Sequence, residues 1–194
     1  TSSGADHVSA YSLIVEDGTR LAARIRRGEL SDVDDDVAAD RYLQADEALT
    51  ASGLEWYEVS NWARPGGECR HNLSYWRGDD WWGIGPGAHS HVGGVRWWNV
   101  RHPAAYAERI AADASPAQAR ELLSDADRRV EDVLLRVRLR EGLPLGLLDG
   151  AGFDVAARAV DDGLADPSAY ALGRIVLTRR GRLLADGLVR DLLD

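Results

Sequence analysis

The chain has 194 residues and a hydrophobic content of 45%, an ordinary globular make-up that suffices for the core of one medium domain or two small ones. Its formal net charge of -9 argues against a general nucleic-acid binder, which needs a basic face to release counterions from phosphates. No run of about 18 apolar residues occurs, and residues 1–6 lack a basic stretch followed by an apolar one, so we expect no membrane span, no secretory leader and a cytoplasmic location.

All 23 basic residues are arginine, without an arginine cluster that would mark a polyanion site. Methionine is absent, and a strand-like run begins almost at once, so the chain reads as a piece of something longer. A single cysteine, Cys69, excludes an internal disulfide and any complete three-cysteine cluster site within the chain.

Taken in order, residues 7–15 (HVSAYSLIV) are β-rich and apolar and predict a buried strand, and Glu16-Asp17-Gly18-Thr19 predicts a turn. Asp34, Asp35 and Asp36 supply a cap and first-turn acids for a helix carrying Ala38, Tyr42, Ala45 and Leu49, which Gly53 closes. Residues 54–60 (LEWYEVS) predict a second strand, so the order is strand, helix, strand, the repeat of a parallel α/β sheet or barrel. From residue 61 to 100 periodicity is lost, and six of the seven tryptophans crowd among Gly, Pro and His. A stretch of that length without its own secondary structure is usually functional.

Beyond it, Pro103 suits the first turn of a helix with Tyr106, Ala107 and Ile110 on one side, and residues 111–116 read as a loop. Ser124 with Asp127 forms a capping-box pattern, followed by a core-facing stripe of Val130, Val133, Leu134 and Val137. A short helix over residues 153–160, a short strand over 175–178 and a last helix lined by Leu183, Leu184, Leu188 and Leu192 complete a winged-helix-like module. The expected division is therefore residues 1–115 and 116–194.

Chemistry concentrates in Cys69-Arg70-His71-Asn72-Leu73-Ser74-Tyr75-Trp76 and in the run from Gly83 through Gly85 and Gly87 to His89 and His91. Three readings stand side by side. An imidazole or thiolate could ligate heme iron while flat rings cover the macrocycle and glycines let the backbone approach it. Cys69, His71, His89 and His91 could instead close a zinc site, although Cys-x-His and His-x-His are tighter than usual zinc spacings. In the third reading the histidines bond to backbone and the tryptophans pack a core or interface. The spacing Gly83-x-Gly85-x-Gly87 is not that of a dinucleotide fingerprint and reads better as tight backbone lining a pocket. Arg64-Pro65-Gly66-Gly67 reads as a turn with a minor chance of gripping a carboxylate, and no hydrolase arrangement is supported, since G-x-S-x-G does not occur.

Several of these stretches resemble a known family. HVSAYSL, WYEVSNWARPGGECRHNLSYW, GIGPGAHS and RWWNVRHPAAY are similar in sequence and order to HemW proteins of the radical S-adenosylmethionine group, and IVLTRRGRLLADGL resembles the C-terminal domain shared with oxygen-independent coproporphyrinogen III dehydrogenases. The sharpest element, HNxxYW, stands here as His71, Asn72, Tyr75 and Trp76. The resemblance implies the C-terminal part of a (β/α) radical barrel followed by a small winged-helix-like α+β domain. It implies heme as ligand, with His71 favoured for the iron, Tyr75 and Trp76 as wall, Cys69 and His89 as further candidates, and an acceptor hemoprotein as partner. It also implies a four-iron cluster and S-adenosylmethionine in the full-length protein only, because the CxxxCxxC motif is absent here and this chain alone should be inactive. The rival implied activity is decarboxylation of coproporphyrinogen III propionates in porphyrin biosynthesis.

Overall fold

A computed structural model describes residues 4–194, so the beginning of the stretch inspected for a leader lies outside the described residues. It resolves into two compact units, Thr1–Glu68 and Cys69–Asp194, each described by itself. The expected division at 115/116 falls inside the second unit.

In the first unit the elements are β1 (His7–Ser9), α1 (Arg20–Arg26), α2 (Asp35–Ala51), β2 (Glu55–Glu58) and β3 (Asn61–Ala63). Helix α2 starts where the acids predicted it: the Asp34 side chain accepts from the Val37 backbone N–H, and Asp35 and Asp36 follow in the first turn. Thr19 caps the shorter α1, which a turn assignment for residues 16–19 left unread. The expected strands form only in part, over His7–Ser9 and Glu55–Glu58, and Tyr11, Leu13 and Ile14, expected in a buried strand, are exposed; the two strands run in the same direction, as a parallel repeat requires, but they do not pair with each other. The chain turns back after Glu58, and β3 lies between them, antiparallel to both. Trp62 at the centre of β3 is fully buried against Leu49 and Leu54, with Tyr42 and Trp56 alongside, and burial of such a side chain contributes about 1.5–3 kcal/mol. Its indole N–H donates to the buried Asp46 carboxylate at 2.8 Å, which satisfies a polar group inside this small core.

The second unit opens with α3 (Arg70–Arg77), the hairpin β4 (His89–Val92) and β5 (Val95–Asn99), α4 (Pro103–Ala111) and β6 (Ala117–Leu122). Within the tryptophan-rich stretch, residues 70–77 form a helix and 89–99 a hairpin, while residues 78–88 stay irregular apart from the Trp81–His91 bridge. Helix α4 begins at Pro103 as expected, and β6 completes an antiparallel sheet in the order β4-β5-β6. There follow α5 (Asp125–Arg136), β7 (Leu143–Pro144), a 3-10 turn (Leu145–Leu147), α6 (Gly150–Asp161), α7 (Pro167–Ala171), β8 (Arg174–Ile175), α8 (Arg179–Leu183) and α9 (Ala185–Leu193). The capping box forms in full, with Ser124 bonded to the Asp127 N–H and the Asp127 carboxylate returning to the Ser124 N–H. Of the predicted stripe, Val133 and Val137 are buried with Leu143, Ala156, Ile175 and Leu188, whereas Val130 and Leu134 stay largely exposed, so α5 seats a narrower edge than its sequence suggests. A two-residue antiparallel ribbon, β7 with β8, lies among these helices.

Candidate functional site

The HNxxYW residues lie on α3, a helix of two turns ended by Gly78 in the left-handed conformation. Residues four apart share a helix face, so His71 and Tyr75 meet: the Tyr75 hydroxyl and His71 Nε2 are 2.9 Å apart and their rings stand edge to face. Asn72 and Trp76, one position on, are half-buried, while His71 and Tyr75 are exposed. Tyr75 in turn meets Trp81 edge to face at 4.8 Å, and Trp81 packs on the buried His91 at 4.9 Å. The result is a ladder of four aromatic rings, from an exposed imidazole to a buried one.

Backbone pairing fixes this ladder. Trp81 and His91 exchange both backbone hydrogen bonds, at 2.7 and 3.0 Å, so Trp81 extends the sheet beside β4 and its side chain lies on the His91 side. His91 Nδ1 is 3.2 Å from the Asp79 carbonyl oxygen, and Nε2 is buried without a hydrogen-bond partner. At the other end of α3, Arg77 forms a two-pronged ion pair with Glu141 at 2.9 and 3.0 Å, and Arg136 of α5 donates to the Arg77 carbonyl oxygen. The Arg77 guanidinium holds the Glu141 carboxyl below the usual glutamate range, an effect that burial partly opposes.

The remaining expected site residues are distributed around this ladder. Cys69 is the exposed N-cap residue of α3 and makes no side-chain cap. His89 is exposed and stacks on Trp98 across the hairpin, with ring centroids 5.7 Å apart. Gly83 has a steric reason to be glycine, since a Cβ there would meet the His89 carbonyl oxygen at 2.0 Å. Gly85 and Gly87 take positive φ values of 109° and 68°. Asn99, missed in the sequence, ties the run to the sheet by donating from its side-chain amide to the Gly83 and Gly85 carbonyl oxygens.

No protein-family model matches the chain. Against individual proteins the likeness is extensive: it is 58% identical over 98% of its length to the "Heme chaperone HemW" of Mycobacterium tuberculosis. The chain belongs to the HemW family of radical S-adenosylmethionine proteins. The same name is carried by a Bacillus subtilis relative that is 31% identical over 94% of the chain. The chain spans about half the length of these relatives, 48% and 49% respectively. A mitochondrial radical S-adenosyl methionine domain-containing protein of Danio rerio is 46% identical over 43% of the chain and 19% of its own length. Among solved structures, coproporphyrinogen III oxidase (HemN) from Escherichia coli, a radical SAM enzyme, superposes with a TM-score of 0.56 at 18% identity, over 77% of this chain and 39% of its own. That match shows a shared radical SAM fold.

For a HemW family member, two further outcomes bear on the metal chemistry. The zinc alternative fails, because among the described residues no three His, Cys, Asp or Glu side chains gather in a way that could hold a metal ion; Cys69, His71, His89 and His91 share a stretch of sequence but not a centre. With one cysteine, the residues present do not fit a four-iron cluster either. Arg64 does grip a carboxylate, but it is Asp6 of the same chain, at 3.2 Å. A polar cluster in the first unit went unread in the sequence: the buried Asn61 side chain joins Ser9, Glu58 and Tyr11, and His7 Nε2 lies 2.8 Å from the Tyr57 hydroxyl. Strand alternation alone gives no sign that residues 50 apart in sequence converge there.

Proposed function

We propose that this chain carries the heme-binding part of a heme chaperone, with His71 as iron ligand and Tyr75, Trp76 and Trp81 as the wall beside it. The observation that carries the proposal is the His71–Tyr75 pair on α3. An imidazole that ligates a metal usually donates its other N–H to an oxygen, which sets the tautomer. Tyr75 supplies such an oxygen at Nε2; in the tautomer that donates Nε2–H to it, Nδ1 of this exposed residue would carry the lone pair for the iron. The neighbouring rings offer the apolar, flat surface that a macrocycle needs. Cys69 and His89 are further candidates that would help to hold the heme, and Gly83, Gly85 and Gly87 would supply the backbone around it.

The chaperone name carried by the 58% identical relative supports delivery to an acceptor hemoprotein over the decarboxylation of coproporphyrinogen III. In the full-length protein the barrel half would hold the four-iron cluster and S-adenosylmethionine, residues 1–115 would belong to that barrel, and residues 116–194 would form the appended domain. A cytoplasmic location is part of the same proposal; among the described residues no helix is long and apolar enough to cross a membrane.

A heme titration followed by Soret absorption tests the assignment. A Soret band of histidine-ligated heme in the parent and its loss in His71→Ala is the expected result, with Tyr75→Phe retaining that band at about tenfold lower affinity, the lower end of what loss of an orienting partner costs. An unchanged histidine-ligated band in His71→Ala would remove His71 from the site.

A further inference from the structure

The sheet β4-β5-β6 has two faces, and the ladder uses only one of them. Cross-strand partners point to the same side, so His91 and Arg96 share a face, as do His89 and Trp98. That face is covered in part: Arg96 reaches Glu131 of α5 at 2.7 Å. Ser90 and Trp97 point the opposite way, and Trp82, the residue after Trp81, joins them, its ring meeting Trp97 edge to face at 4.9 Å. Two adjacent tryptophans therefore serve opposite faces of one sheet.

On the Trp97 side lies an open cleft of about 810 Å³, lined by Trp82, Ile84 and Trp97 together with Tyr106 and Ile110 of α4. Ligand sites fall at about 300–1,000 Å³. The walls are apolar and open to solvent: Trp82 is 70% exposed, Ile84 85% and Ile110 51%. An apolar concavity of that kind on an otherwise charged surface marks a binding site. The cleft also carries one charged group. Arg120, on β6 opposite Trp97, lines it, and among the described residues its guanidinium makes no hydrogen bond or ion pair. By contrast Arg96 and Arg77 are each bonded to carboxylates.

We infer that this cleft is a second tetrapyrrole site, which takes the flat ring against Trp82 and Trp97 and a propionate on Arg120, independently of His71. The choice of tetrapyrrole rests on the heme reading above; the apolar walls and unpaired cation require, more generally, a flat apolar ligand bearing a carboxylate. None of the side chains named along the cleft is a histidine or cysteine, so binding there needs no iron.

Metal-free protoporphyrin IX is therefore the probe, followed by its own Soret shift and fluorescence anisotropy with the complete 194-residue chain. Saturable binding is expected, weakened about tenfold or more in Trp82→Ala, the equivalent of losing one well-buried aromatic contact. Arg120→Glu, an exposed change that leaves the core untouched, is expected to weaken it as well, whereas His71→Ala leaves it unchanged. Porphyrin binding lost in His71→Ala but retained in Trp82→Ala and Arg120→Glu would overturn the cleft and leave the heme site standing. Absence of saturable porphyrin binding by the parent would overturn it too, as would Trp82-dependent dimerisation in sedimentation without porphyrin uptake, which would assign the face to a second copy of the chain. Loss of the histidine-ligated heme band in His71→Ala, read separately, bears only on the first site, whereas loss of all saturable heme binding there would overturn the cleft as well.

Discussion

Replacing Gly83 by Ala isolates a steric contact that organises both faces of the sheet. Gly83 does not have positive φ, so alanine meets no backbone penalty there, but its Cβ would lie 2.0 Å from the His89 carbonyl oxygen. Backbone atoms on both sides must separate by more than an ångström to reach an ordinary contact. The movement breaks the hydrogen bond from the Gly83 N–H to Ser90 Oγ, 2.9 Å long, and the weaker one from Asn99 Nδ2 to the Gly83 carbonyl oxygen. Ser90 is fully buried, so its hydroxyl loses a partner where water cannot replace it. A stranded buried group costs about 1–3 kcal/mol and a lost hydrogen bond about 1 kcal/mol, which gives a destabilisation of about 3 kcal/mol. With a urea slope of about 1–3 kcal/mol/M, the unfolding midpoint should fall by about 1–3 M at unchanged slope. Near-UV circular dichroism of the clustered tryptophans reports the transition. Gly85→Ala is the control: φ is 109° and no atom lies within 4 Å of the added Cβ, so only backbone strain of about 1–2 kcal/mol is expected. A Gly83→Ala variant as stable as the parent, or more stable than Gly85→Ala, would refute the close-approach argument.

Two other outcomes follow from the charges and the cysteine count. Because Arg77 lowers the folded-state pKa of Glu141, that pair stabilises the protein above the ordinary glutamate value of 4.5 and its contribution disappears as pH falls through the lower folded value. Glu141→Gln should therefore lower Tm at pH 7 by a small amount, since both side chains are 41% exposed and solvent screens them, and the gap to the parent should close in acid; a gap that persists or widens there would contradict the assignment. Iron–sulfur reconstitution of this chain should yield no radical cleavage of S-adenosylmethionine, because a single cysteine cannot hold the cluster; deoxyadenosine production measured by chromatography would show the placement to be wrong.

The parts of the fold that were legible in the sequence depend on neighbours three or four residues away. Asp34 capping α2, the spacing of Tyr42 and Leu49, Pro103 at the start of α4 and the Ser124–Asp127 box all act within one or two helical turns, so the linear order contains both partners of each interaction. The HNxxYW pair His71 and Tyr75 belongs to the same class, being four residues apart on one helix. Strand β6 was illegible for the opposite reason: AQAREL has no strand-like alternation and weak β propensity, and it is a strand because β5 offers it a ladder.

What only the tertiary structure decided is which side each residue serves. Residues 61–100 show crowding of Trp, His and Gly, but pairing across the β4–β5 hairpin determines that Trp81 joins His91 while Trp82 joins Trp97. The insertion of β3 between β1 and β2, and the gathering of Ser9, Glu58 and Asn61, likewise depend on register between strands distant in the chain. A one-residue change of register turns every side chain of a strand to the other face, and no local pattern in a stretch this crowded with tryptophan selects between the two. Composition and motif thus determined the family and the helix that bears His71, whereas long-range pairing determined that the same aromatic stretch builds a histidine ladder on one face and an open apolar cleft on the other.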